Sequence, residues 1–402
     1  MKALLLAGGR GAHMAPFSST RPNPMIPVGG RYVIDRTVSM LYEAGINSMK
    51  LVVGHRPQML TKHLSPEHPT GMAIHFIDQG KQNGIGKAML KARDQFSPGE
   101  HFVLVYADTL TASNIISVIL QSFSLHNEPT AAICLTRSGE KYGNVYLGKD
   151  MKITKIIEKP KLKAGLGNYV LAGVFVLPEA FFGFLEKSKG NMEAALKHLI
   201  KKQSLRASIW GDDWLDMAYP WDILKANQMV MDQWKEAAIH QSVELSNTKI
   251  KGPVRICEGA DIRAGAVLEG PAYIGPGSFI GHNVLLRPYT SVGANSVIGH
   301  GAELKNCVIF PETVVGRLSF IGDSVVGEGV DIGAGTMTIN RTIDKKEVKI
   351  KEGRTLVRAG LNKLGAFIGD GAVIGASNIL DAGSMVQAGK KIPHNCSYPA
   401  KR

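Results

Sequence analysis

Residues 256–304 read ICEGADIRAGAVLEGPAYIGPGSFIGHNVLLRPYTSVGANSVIGHGAEL. An aliphatic residue stands at every sixth position, nine times running: Ile256, Ile262, Leu268, Ile274, Ile280, Leu286, Val292, Ile298 and Leu304. Four residues after each of the first eight comes a small or β-branched one: Ala260, Ala266, Ala272, Ser278, Val284, Thr290, Ser296 and Ala302. A second run of the same period occupies Ile368, Ile374, Leu380, Val386 and Ile392. Such a repeat predicts a parallel β-helix, with three short strands to a triangular coil and the aliphatic residue of each pointing inward. Between the runs, Thr336–Lys363 breaks the period and includes the charged stretch DKKEVKIKEGR. It is expected to leave the coil as a loop, either functional or simply solvated. One face of the coil needs cover, because an exposed flat sheet invites pairing. A homo-oligomer, most simply a trimer, is the expected solution.

The first half has a different rhythm. Apolar strands are expected at Ala3–Ala7, Met49–Val53, Ala73–Phe76 and Phe102–Tyr106, with helical patterns at Tyr32–Ala44, at Gly86–Gln95 and after Asp108. Alternation of this kind argues for an α/β, Rossmann-like domain with a mostly parallel sheet. Ligands of such sheets bind at the carboxyl ends of the strands. The turn Gly8, Gly9, Gly11 and the acid Asp108 both fall at that edge. From Tyr219 to about Glu244 the pattern predicts one long helix. The expected organisation is therefore residues 1–226, a linking helix over 227–249, and a β-helix over 250–402.

The chain has 402 residues, 44% hydrophobic and 20% charged, with a net charge of +13. That excess suits phosphorylated or anionic partners. It comes without a basic run or a recognisable nucleic-acid motif, so nucleic acid is not an expected partner. Four scattered cysteines lack metal or disulfide spacing, and no apolar run is long enough for a membrane span or signal peptide. A cytoplasmic protein with reduced thiols is expected.

With LLLAGGRG, QGKQNGIG, VYADT, IIEKP and WLDMAYPWDILKAN in the first half, and LLRP, ELKN, RLSFIGDS, DIGAGTMTIN and LNKLGAFIGD in the second, the chain resembles the sugar-1-phosphate nucleotidyltransferases. It most resembles the bifunctional N-acetylglucosamine-1-phosphate uridyltransferase/glucosamine-1-phosphate acetyltransferase group, whose second domain is a left-handed β-helix. The resemblance implies a nucleoside triphosphate and a sugar-1-phosphate or sugar nucleotide as ligands. It places Ala7, Gly8, Gly9, Gly11, Gln79, Gln82 and Gly84 around the nucleotide. Asp108 and Asp216 match the Mg²⁺-binding acids, and Gly143 and Glu158 match the positions around the sugar. In the β-helix, Arg287, Lys305, Asn340 and Lys363 match anion-binding and neighbouring family positions.

Departures from the pattern are as informative. The family's Gly-Thr-Arg and Pro-Lys are Gly11-Ala12-His13 and Pro22-Asn23 here, so two phosphate-contacting cations are missing. Arg10 or Arg21 could stand in for them. Ile85 replaces a base-contacting threonine. Leu171 replaces the asparagine that holds the acyl-amino group, which puts N-acetylglucosamine in doubt as the sugar. In the second domain Arg317-Leu318-Ser319-Phe320 replaces His-Leu-Ser-Tyr, and Asp331 replaces an asparagine. Arginine cannot act as general base, so acetyl transfer from acetyl-CoA is not expected. Two readings follow: a weakened nucleotidyltransferase, or a degenerate subunit that binds nucleotide or sugar nucleotide and partners an intact paralogue.

Overall fold

A computed structural model describes residues 1–64, 71–81, 84–135, 141–159, 168–352 and 355–398, which form two compact units. The first comprises Met1–Arg10, Pro22–Met25 and Val33–Asp216. Its strand Lys2–Ala7 lies parallel between His101–Tyr106 and Ser48–Val53, with Ala73–Asp78 parallel beyond. Leu4, Leu5, Val52, Phe102 and Leu104 are buried, as continuous apolar runs in a sheet covered on both faces should be. The later strands add both antiparallel and parallel pairs, Arg206–Trp210 running parallel to Thr130–Leu135. Tyr169–Pro178 pairs antiparallel with His101–Tyr106, and Gly143–Leu147 with Ile153–Glu158. The sheet is therefore mixed around a parallel core. The helix expected over Gly86–Gln95 is shorter, Ile85–Leu90. Lys91 and Ala92 then hydrogen-bond three residues back and tighten the end of the helix.

The second unit comprises Gly11–Arg21, Ile26–Tyr32 and Met217–Arg402. Its three parallel sheets of eight, eight and seven strands are the faces of the β-helix. Ile256 stacks on Ile274 and Ile274 on Val292, while Ile262, Ile280 and Ile298 line the next face and Leu268, Leu286 and Leu304 the third. All nine are buried, as are the five of the second run. The coil continues where the hexads stop. Ile309, Val315, Ile321, Val326 and Ile332 extend the same inward stacks. Leu304 to Ile309 and Ile321 to Val326 are five residues apart. The shortened corners hold Asn306 and Asp323 at left-handed φ of 46° and 49°, a conformation that Asn and Asp tolerate. Val326 then pairs directly with Ile368, and the intervening excursion carries an antiparallel hairpin, Lys349–Glu352 with Thr355–Arg358. The expected loop is thus partly ordered.

Two expectations need correction. The long helix ends at Met231, having begun at Asp222. Ala238–Ile239 instead supplies the first rung of the coil, parallel to Arg255–Ile256, and Trp234 packs under the Arg255 guanidinium at 4.2 Å. Pairing and packing override a helix-compatible sequence here. The unit boundary falls at Asp216, and the glycine-rich turn is divided, with Gly11–Arg21 folding as part of the β-helix unit.

Arg21 explains that division. It is 2% exposed and donates to Asp370 at 2.5 Å and to Glu328 at 2.9 Å, with its guanidinium 4.8 Å from the Phe310 ring. Thr20 Oγ1 also donates to Asp370, and Phe17 packs on Phe310. Burial opposes the charge of Arg21, yet Asp370 and Glu328 outweigh it and raise its pKa above the ordinary value. Asp370→Ala would leave the buried guanidinium with the half-exposed Glu328 as its one carboxylate among the described residues and should cost about 3 kcal/mol. Glu328→Gln, at a more exposed partner, should cost less than about 1 kcal/mol. Chemical denaturation of the two variants measures the difference, and equal losses would contradict it.

Candidate active site

At the carboxyl edge of the first unit's sheet, four strand ends bring Gly8, Gly54, Gln79 and Asp108 together. A Cβ on Gly8 would run into the Gln79 side-chain amide, which would have to swing aside. Gly8, Gly9, Gln79 and Gly84 line a cavity of about 210 Å³ that reaches Ile85, Tyr106 and Asp108. A larger cavity of about 540 Å³ shares those last three residues and extends past Gly143, Glu158, Leu171 and Asp216. The two spaces therefore meet at Asp108. Ala7 closes the first strand, buried, and Gln82 lies outside the described residues.

Asp216 reaches the larger cavity through a short antiparallel pair, Thr109–Thr111 with Trp214–Asp216, in which it stands opposite Thr109. The sugar-side residues come from the Gly143–Leu147/Ile153–Glu158 hairpin, where Gly143 and Glu158 are register partners. A Cβ on Gly143 would press on Glu158 Oε2 at 2.8 Å and on Leu171 Cδ1 at 3.3 Å. Burial pushes the Asp108 carboxyl above its usual range. Burial also raises Glu158, helped by Glu193 and opposed by Lys159. Tyr106, buried beside both Glu158 and Asp108, is raised as well.

Among the described residues the lining holds four carboxylates, Asp108, Glu158, Glu193 and Asp216, and two lysines, Lys141 and Lys159. Glu193, Lys141 and Lys159 escape a motif reading. Lys159 merely follows Glu158 and Lys141 merely precedes Tyr142-Gly143, while Glu193 is an ordinary first-turn acid of the helix Met192–Lys202. Asp108 and Asp216 offer hard oxygen donors, which fits Mg²⁺ better than a thiolate- or imidazole-binding metal. Among the described residues no cluster of three or more His, Cys, Asp or Glu could cage a metal. Water and phosphate oxygens would have to complete the shell, as Mg²⁺ prefers.

The two substituted positions lie in different units. Asn23, in the turn Asn23–Met25, is 8% exposed, and its Oδ1 has no hydrogen-bond partner among the described residues. His13, in the turn Ala12–Met14 after Gly11, packs against Tyr219 within the β-helix unit, ring centroids 5.4 Å apart and tilted by 43°. Arg21 is committed to Asp370 and Glu328, and Arg10 is exposed.

The sequence matches the Nucleotidyl transferase family over residues 2–233, and a GMPPB C-terminal domain over residues 268–362. The chain belongs to the sugar-1-phosphate nucleotidyltransferase family. The Bifunctional protein GlmU of Methanococcus maripaludis is 33% identical over 377 residues, covering 92% of this chain and 88% of that one. A Bifunctional sugar-1-phosphate nucleotidylyltransferase/acetyltransferase of Sulfurisphaera tokodaii is 31% identical, over 92% and 90%. Among solved structures, a UDP-glucose pyrophosphorylase from Acinetobacter baumannii superposes with TM-score 0.52 at 20% identity, over 56% of this chain and 92% of that one. That likeness speaks for the nucleotidyltransferase fold.

Arg287 donates to Glu303 at 3.0 Å, and Lys305 and Asn340 both donate to Asp323, at 3.3 and 2.6 Å. Lys363 lines a cavity of about 390 Å³ whose wall also includes Asp323, the acceptor of Lys305 and Asn340. Arg317 and Asp331 stand exposed on the coil.

The raised carboxyls give a test of the acidic pocket. Groups whose folded pKa lies above the ordinary value contribute stability at low pH and lose it as pH rises through the folded pKa. Asp108→Asn should therefore raise the unfolding midpoint of the metal-free protein at about pH 7 and flatten its decline as pH rises above the ordinary carboxylate range near pH 4. Mg²⁺ should raise the midpoint of the wild type and leave the variant's unchanged. Thermal melts across that range decide it.

Proposed function

We propose that the chain joins a nucleoside triphosphate to a sugar-1-phosphate, giving a nucleoside diphosphate sugar and pyrophosphate. The observation that carries this reading is the meeting of the two cavities at Asp108. A phosphate oxygen of the sugar-1-phosphate attacks the α-phosphorus, a new P–O bond forms, and the bond to the bridging oxygen of the departing pyrophosphate breaks. Gly8, Gly9, Gln79 and Gly84 would receive the nucleotide, with Ile85 making an apolar contact. Gly143 leaves room for a sugar ring whose hydroxyls donate to Glu158. Leu171 disfavours an N-acetyl group and favours a plain or deoxygenated hexose. Asp108 and Asp216 would hold Mg²⁺, which neutralises phosphate charge in the transition state.

His13 and Asn23 make this a weakened enzyme, since each lost cationic contact costs on the order of 10²–10³ in rate. Asn23, buried and uncharged, also supports the second reading, a subunit that binds the nucleotide or sugar nucleotide and partners an intact paralogue. Pyrophosphate release with UTP, dTTP, GTP or CTP and several hexose-1-phosphates separates the two. Slow release is expected, abolished by Asp108→Asn and raised at least about tenfold by His13→Arg with Asn23→Lys. Nucleotide binding without release in any combination would favour the second reading. In the same preparation, coenzyme A release from acetyl-CoA and glucosamine-1-phosphate should be absent, because Arg317 cannot take the amine proton.

The outward residues Val297, Val314 and Val373 of one β-helix face are 38–39% exposed. We infer that further copies of the chain cover this face, in a trimer. Val314→Glu should lower the sedimenting mass, and an unchanged mass would count against this face.

A further inference from the structure

We propose that the outward side of the hairpin excursion is a docking face for an anionic lipid surface. The proposal stands apart from nucleotidyl transfer and involves no cavity. Between Arg341 and Gly360 the sequence places seven basic residues against three acidic ones, a denser excess than in the chain as a whole. Alternation along the strands sorts the hairpin into two sides. Val348 and Ile350 are buried, and a Cβ on Gly383 would press on Val348 Cγ1 at 2.9 Å and on Ile350 Cγ1 at 3.3 Å. That side is seated on the coil. Lys349 and Arg358 stand on the other, both exposed, and are register partners. Leu356, two residues from Arg358, shares the outward side and is 56% exposed.

Like charges directly opposite each other on a hairpin repel, and nothing among the described residues relieves this pair. Neither Lys349 nor Arg358 forms an ion pair there, and the nearby acids are engaged. Asp344 holds Lys346 at 3.3 Å, and Glu347 accepts from the Gly360 N–H. Lys345 adds a further exposed cation, and Ile343, on the same approach to the hairpin, is fully exposed. Cations beside bare aliphatic side chains suit a surface with negative charge outside and apolar depth beneath. A free phosphate or a purely acidic peptide would engage the cations and leave Ile343 and Leu356 in water. A second copy of the chain would bring its own net charge of +13, so repulsion opposes that occupant. The excursion also leaves the coil between the two sheets that hold Thr338 and Phe367, whereas Val314 lies on the third.

Flotation of the full chain with vesicles tests this, using phosphatidylcholine alone and phosphatidylcholine with one-third phosphatidylglycerol. Binding should require the anionic lipid and weaken as salt is added. Lys349→Glu with Arg358→Glu should weaken it at least about tenfold, and Lys349→Gln with Arg358→Gln by less. Ile343→Ser with Leu356→Ser should weaken it about threefold or more. All four positions are exposed, and circular dichroism confirms the fold of each variant. No flotation, equal binding to the neutral vesicles, or binding unmoved by the charge reversal would overturn the assignment. So would retention on immobilised polyglutamate without flotation, which points to an acidic protein. A lower sedimenting mass for the serine variant would overturn it too, by giving this face to another copy of the chain.

Discussion

The β-helix rests on one constraint: each short strand must send an aliphatic side chain into a column whose neighbours above and below are already fixed. Ile256, Ile274 and Val292 form such a column, and no flexible element can collapse onto a gap in it. The demand falls on one residue in six and leaves the corners free. A corner can lose a residue, as at Asn306 and Asp323, without disturbing the column, because the inward position is reset at the next strand. It can also gain a long insertion. Val326 still stacks on Ile368 across the hairpin excursion, since lengthening a surface loop costs only a slowly growing closure entropy. Polar chemistry therefore collects at corners and excursions, and the coil's cavity is lined from both.

The same constraint explains what was legible. Hexads declare themselves because the period repeats without interruption from Ile256 to Leu304. Ile309 to Ile332 belong to the same stacks yet escape a search for a fixed period, because two steps of five shift the phase. The long helix misleads for a related reason. Residues 232–244 have a helix-compatible composition, and only the edge offered by Arg255–Ile256 makes a strand at Ala238–Ile239 preferable. In the first unit, the strand ends carrying Gly8 and Asp108 could be placed from local pattern alone. Gly143 and Glu158 sit on one hairpin and face each other in register, so a motif reading finds both. Glu193 and Lys141 come from unremarkable helix and turn positions, and only the fold brings them to the cavity.

Arg21 shows how little local sequence says about a charge. Beside His13 and Asn23 it looks like a ready replacement for a missing cation, equivalent to Arg10. Its partners stand some three hundred residues away, at Glu328 and Asp370. An arginine so buried, with two carboxylates on it and an aromatic ring against its face, has its charge consumed in structure. Removing it to serve a phosphate would strand Asp370, at a cost comparable to the strength of the new phosphate interaction. The stretch between Gly9 and Asn23 keeps its glycines while its cation belongs to the β-helix.

Electrostatics then separates the two cavities. Among the described residues, the one around Asp108 presents four carboxylates to two lysines, and burial already favours the protonated forms of Asp108 and Glu158. Phosphates entering such a lining meet repulsion unless positive charge arrives with them, and Asn23 supplies none. The cavity at the coil's shortened corners has the opposite balance. Its single acid among the described residues, Asp323, is tied up by three donors, while Lys225, Arg341 and Lys363 stand at its mouth. A pocket that must import its positive charge is sensitive to the metal around it, whereas one that carries its own is sensitive to salt.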